Sequence, residues 1–165
     1  MSSLRNFQTA LKIFTSGKGI SHDIIEAVLG GDLLSVPVLV DRANALQMKK
    51  AEKGFKEIIE SLSRVMTIAK KWEGSMEIDP QLFENEYEQQ LYDSWMHVVD
   101  TYAAADGQEA KFAALASLQP AISIYFDHTM VMAEQANVKM NRLAQMKQLA
   151  NLIGSYAAIN EIQVK

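Results

Sequence analysis

Apolar residues recur at three- and four-residue steps along most of the chain, and no stretch shows the two-residue alternation of a half-buried strand. Leu4, Phe7, Leu11 and Phe14 predict a first amphipathic helix that "SGKG" (Ser16–Gly19) ends. Ser21 is placed to cap a short second helix, which Gly30 and Gly31 close. Ser35 followed by Pro37 opens a third, running to about Met48. The strongest periodicity lies between Ala51 and Trp72, where Phe55, Ile58, Ile59, Leu62, Val65, Met66, Ala69 and Trp72 trace one face. Lys53, Arg64 and Lys71 project away from that face and are expected in solvent. Asp79 before Pro80 reads as the start of a long acidic helix with Leu82, Phe83, Tyr87, Leu91, Trp95, Val98, Val99 and Tyr102 turned inward. "ADG" at Ala105–Gly107 breaks it, a further helix spans Gln108 to about Leu118, and Pro120 starts or kinks the next. The predicted fold is all-α: one domain over residues 1–165, an irregular bundle of about six to seven helices. Shorter helices occupy 1–50, and long ones lie at 51–72, 80–104 and 137–160.

At 165 residues the chain is long enough for a core that needs no staple, and it has no cysteine for disulfides, thiolate metal sites or a thiol nucleophile. No segment approaches the ~18 consecutive apolar residues of a membrane span, and the N-terminus lacks the pattern of a secretory signal. A soluble helical domain in a reducing compartment is the expectation.

Net charge is −4, and its distribution matters more than its sum. Residues 1–40 balance; residues 41–71 carry net +4, residues 72–134 net −11 and residues 135–165 net +3. An acidic middle therefore lies between two basic segments, so one face can attract an anion that another repels. Solvated helix faces are the plainer reading of the same numbers.

Candidate chemistry is sparse. His22, His97 and His128 fall on separate helices with no ligand at metal spacing, and no phosphate-binding glycine loop or nucleophile elbow occurs. Glu84, Glu86, Glu88 and Asp93 read as a solvated helix face. Met130, Met132, Met140 and Met146 read as core packing, with an adaptable binding surface as the alternative. In the last helix Arg142 projects onto the apolar stripe with Lys139 on its flank, while Asn141 and Lys147 project outward. An arginine there must find a carboxylate, a carbonyl or an anionic ligand; Asp127 and Glu134 are the nearest acids in sequence.

The stretch "YFDHTMVMAEQANVKMNRLAQM" (Tyr125–Met146) resembles the C-terminal segment of the beta subunit of bacterial heterotetrameric glycyl-tRNA synthetase. Tyr125, Phe126, Asp127, Met130, Val131, Met132, Asn141, Arg142, Leu143 and Ala144 carry the resemblance. "LSRVMTIAKK" (Leu62–Lys71), "DPQLFENEYEQQLY" (Asp79–Tyr92) and "ISHDIIEAVLG" look like further segments of that family in the same order.

The resemblance implies an all-helical, DALR-type anticodon-binding domain, a C-terminal fragment or stand-alone domain expected to lack aminoacylation activity alone. Its implied partners are a glycine tRNA, the rest of the beta subunit and the alpha subunit, with no membrane and no DNA, in the cytoplasm. No cofactor is expected in this chain; ATP and Mg would be used by the alpha subunit. The residues expected to contact RNA are Arg64, Lys70, Lys71, Lys139, Asn141, Arg142 and Lys147. Two departures weaken this. The family's namesake Asp and Arg are Gln135 and Lys139 here, so the ion pair is lost and a forked donor becomes a point charge. Ser63 and Thr67 likewise replace a Lys and an Asn. A helical protein-interaction or scaffold domain that keeps the fold without binding RNA is the competing reading, favoured if Glu57 and Glu60 break up the basic face.

Overall fold

The computed structural model describes residues 2–15 and 17–165. Ser16, and the side chains of Leu4, Phe7 and Phe14, lie outside the described residues. Eight α-helices are found among the described residues: α1 Ser2–Thr15, α2 His22–Leu29, α3 Val36–Lys50, α4 Phe55–Ala69, α5 Glu86–Ala104, α6 Gln108–Ala116, α7 Gln119–His128 and α8 Ala136–Tyr156. Two 3-10 turns, Pro80–Leu82 and Ile159–Glu161, complete the set, and the described residues include no strand.

The core is built on α4 and α8. The periodic stripe of α4 is buried as its spacing predicts: Phe55, Ile59, Leu62, Val65 and Ala69 are each no more than 4% exposed. Each such side chain contributes roughly 1.5–3 kcal/mol on burial. The start of α4 meets residues 163–165, just beyond α8, and its end shares a groove with Leu143. Around this pair, α5 lies against α6 and α7, while α3 links α1, α2 and α6.

After α8 the chain folds back across α2. Ala158 N–H donates to Ala27 O at 2.8 Å, and Asp32 N–H donates to Ser155 O at 3.0 Å. This crossing requires a glycine, because a Cβ on Gly31 would stand 2.5 Å from the Tyr156 carbonyl oxygen. Arg42, only 2% exposed, seals the same end. It donates from Nη1 to Tyr156 O at 2.7 Å and from Nε to Gln108 Oε1 at 2.7 Å, with its guanidinium 4.4 Å from the Tyr156 ring centre. A cation at the α8 C-terminus also meets the negative end of the helix dipole.

Several boundaries differ from expectation: α8 ends at Tyr156 and not near residue 160, α4 is shorter at both ends, and the start of the acidic helix moves most. Asp79–Pro80 starts only the 3-10 turn, with Asp79 Oδ1 accepting from Gln81 N–H at 3.0 Å. The acidic helix begins six residues later, where Asn85 Oδ1 caps the N–H groups of Tyr87 and Glu88, both at 3.0 Å. The diversion is tertiary: Asn141 on α8 grips the Asp79 backbone at both ends, accepting from its N–H at 2.7 Å and donating to its O at 3.0 Å. A residue held this way stays extended. Val99, expected inward, is 36% exposed.

Candidate nucleic-acid interface

The C-terminal end of α4, the end of α7, and the connection 129–135 enclose an open groove of about 810 Å³. Arg64 and Lys71 come from α4 and the residues just after it. Phe126 and His128 come from α7, and Met130 and Met132 from the connection. Arg64 is exposed, as its projection away from the α4 stripe predicts, yet its guanidinium lies 4.0 Å from the Phe126 ring centre. An exposed cation–π contact contributes only about 0.5–1 kcal/mol, but it spreads a flat, positively charged plane over an aromatic face. His128 adds a second planar surface, stacked on Tyr87 at 4.2 Å and 13°. Asp127 lines the groove as well, so its charge is mixed.

The connection is held by a buried ionic cluster. Glu88 is fully buried and Arg142 is 5% exposed. Arg142 forks onto Glu88, from Nε to Oε2 at 3.2 Å and from Nη2 to Oε1 at 2.9 Å. Nη2 also donates to Glu84 Oε1 at 3.0 Å, and Nη1 to Met130 O at 2.8 Å. Glu88 Oε1 accepts from Glu84 N–H at 2.9 Å as well. The hydrogen bond to Glu88 holds the guanidinium above the ordinary arginine range. Burial raises the nearby Tyr125 hydroxyl well above its usual value, with the Glu88 charge adding to the shift. One guanidinium thus joins α8, the start of α5 and the groove wall.

The seven residues expected to contact RNA separate into groups. Arg64 and Lys71 are together in the groove, and Lys70 is exposed beside Lys71 at the end of α4. Lys139 and Lys147 are half-buried. Lying four residues before and after groove-lining Leu143, they share its row on α8. Among the described residues none of these five lysines and arginines pairs with a carboxylate.

Arg142 and Asn141 are elsewhere. Arg142 is committed to Glu88 and Glu84, not to Asp127 or Glu134. Asn141, expected to point outward, is 5% exposed and bound to Asp79. Glu88 is no part of a solvated face.

The methionines also depart from expectation, since Met130, Met132 and Met140 are 71%, 58% and 45% exposed and only Met146 of the four is buried. Met130 and Met132 sit in a connection that no helix covers. The exposure of Met130 and Met132 therefore goes with the alternative reading of an adaptable surface, while Phe126 and His128 were missed as groove residues. Their one visible signal was a dense aromatic-methionine run directly before a helix start.

No family model matches the chain. It is 44% identical over 155 residues to the glycine–tRNA ligase beta subunit of Listeria monocytogenes, an alignment that takes in 94% of this chain and 22% of the relative. Identity is 41% over 163 residues with the protein of the same name from Bacillus subtilis, and 40% over 170 with that of Halalkalibacterium halodurans. Those alignments cover 96% and 100% of this chain, and 24% of each relative. Over nearly its whole length the chain is homologous to one region of glycine–tRNA ligase beta subunits. It spans about a quarter of the length of those beta subunits. Among the described residues no helix is long and apolar enough to cross a membrane, and no cluster of side chains could hold a metal.

Proposed function

We propose that the chain is a tRNA-binding, anticodon-contacting domain of DALR type from the C-terminal part of a glycine–tRNA ligase beta subunit. It grips a glycine tRNA in the cytoplasm and makes no bond itself. Glycine activation with ATP and magnesium takes place on the alpha subunit, and the rest of the beta subunit joins the two.

The observation that carries this reading is the Arg64 guanidinium 4.0 Å over the Phe126 ring centre at an open groove edged by unpaired Lys71. Sequence-specific RNA contacts fall on unstacked loop bases, which stack on aromatic rings or on guanidinium planes while cations meet the backbone. Both parts are present within one groove. Lys70, Lys139 and Lys147 extend the positive surface beyond it. Of the acidic segment 72–134, residues 126–132 form one wall of the groove, and Asp127 is the acid they bring to it.

The test is a salt-series titration of the domain against a glycine tRNA transcript and an anticodon-swapped transcript. Three unpaired cations on loop phosphates give a slope of log affinity against log salt of about −2. Preference for the native anticodon with such a slope supports the reading. Equal, weak, salt-insensitive binding to both transcripts overturns it. That result would favour a helical protein-interaction domain, a reading supported by Glu57, Glu60 and Asp127. Glu60 sits four residues before Arg64 on α4, one turn along the same row, and is only loosely occupied by Lys56 at 3.9 Å.

A further inference from the structure

The outer edge of α5 carries an apolar strip that the RNA reading leaves unused. Met76, Ile78, Tyr92 and Trp95 line a shallow groove of about 450 Å³ there. Met96, 50% exposed, and Val99, 36% exposed, continue the apolar surface along the helix. Tyr92, Met96 and Val99 follow at steps of four and three, so the strip runs about 10 Å, or two helical turns. Trp95 stands beside Tyr92, ring centres 6.0 Å apart, and its indole N–H finds no acceptor among the described residues.

The strip is edged by acids. Asp93 and Asp100, seven residues apart, fall on one row of α5 beyond the apolar residues, and Glu77 lines the groove. None of the three forms an ion pair among the described residues. The one cation of segment 72–134, Lys111, is turned away onto Tyr102, donating to its carbonyl at 2.9 Å with Nζ 4.5 Å from its ring centre. No cation of segment 72–134 therefore pairs with the acids at the edge of the strip.

From this we infer that the α5 face docks a basic amphipathic protein helix, its apolar residues seated on Tyr92, Met96 and Val99 and its cations on Asp93 and Asp100. A polyanion is repelled from this edge. A second copy of the same face would set acid against acid. A helix with cations seven residues apart and apolar residues between them matches both the spacing and the sign. This surface is independent of the RNA groove and stands or falls without it.

The probe is a synthetic helical peptide with leucines on one face and lysines seven residues apart at its edge, titrated into the 165-residue chain carrying ¹³C-methyl methionine. The Met76 and Met96 methyl signals shift and saturate at one peptide per chain, while Met130 and Met132 stay put. Met96→Glu, a change at a half-exposed side chain, weakens binding roughly tenfold, the size of effect expected for losing one interface anchor. Asp93→Lys with Asp100→Lys reverses the preference to a peptide with glutamates in place of the lysines. The inference is overturned if the wild-type chain takes both peptides equally, binds neither, or shifts at Met130 and Met132 instead. Concentration-dependent Met96 shifts without peptide would overturn it too, by assigning the face to self-association.

Discussion

Replacing Arg142 with methionine removes four hydrogen bonds: two to Glu88, one to Glu84 and one to the Met130 carbonyl. Glu88 is left with no exposure and only the Glu84 N–H at its carboxylate. Stranding a buried charge costs about 3–5 kcal/mol, whereas replacing both partners of such a pair with apolar groups of similar size is often neutral. Arg142→Met is therefore expected to lose about 3–5 kcal/mol of folding free energy at neutral pH, out of a typical total of about 5–15. Glu88→Met alone loses less, since the guanidinium keeps the Glu84 carboxylate and the Met130 carbonyl. The double variant recovers most of the Arg142→Met loss, so the coupling between the two positions exceeds the loss of Glu88→Met by itself. Urea unfolding followed by far-UV circular dichroism measures all four proteins. A single-variant loss below about 1 kcal/mol, within the range of exposed ion pairs, would refute the claim that the pair is closed to water. A double variant no better than either single one would refute the claim that stranded charge dominates over lost packing.

The same cluster separates two roles for Arg142 at the groove. Because it reaches the Met130 carbonyl and not solvent, Arg142→Met should weaken tRNA binding by loosening the wall without changing the salt slope. Arg64→Ala and Lys71→Ala should each flatten that slope by about 0.7, one phosphate contact apiece; both are read in the salt-series titration. Gly31→Ala places a Cβ 2.5 Å from the Tyr156 carbonyl oxygen and should cost about 1–3 kcal/mol in thermal unfolding, as overpacking against a backbone does. Burial alone would raise the Asp23 carboxyl, but the Ser21 hydroxyl, the Gln163 N–H and the Lys50 ammonium around it bring it down to about 2. Its folded value lies below its unfolded one, so the stabilisation is complete above about pH 4 and lost as pH falls through about 2. Asp23→Asn should thus be less stable by about 1 kcal/mol at neutral pH, after allowance for solvent screening, and indistinguishable from the parent chain at pH 2 in urea titrations.

Local periodicity determined the helices, because an amphipathic stripe and its caps are written within a few residues of each other. The α4 stripe from Phe55 to Ala69 and the outward placement of Arg64 and Lys71 follow from spacing alone. The same locality explains the failures. Asp79 and Asn85 are both sound cap residues, and the choice between them was made by Asn141, 62 residues further on. Projecting α8 onto one apolar face assumed a helix with a wet side, but residues 141–146 are buried all round. Such a helix can carry Asn141, Arg142 and Gln145 inside only because the Asp79 backbone, the Glu88 carboxylate and the Glu88 carbonyl satisfy them.

Glu88 illustrates the limit most directly. Beside Glu84, Glu86 and Asp93 it has every local mark of a solvated acid, and only a guanidinium brought from 54 residues away makes its burial affordable. The groove is likewise tertiary, since Arg64 and Phe126 meet only because α4 and α7 pack against each other. The sequence by itself determined which side chains turn outward on the most regular helix. The tertiary structure decided which buried polar groups find partners and which cations remain free for one, because those partners lie tens of residues away along the chain.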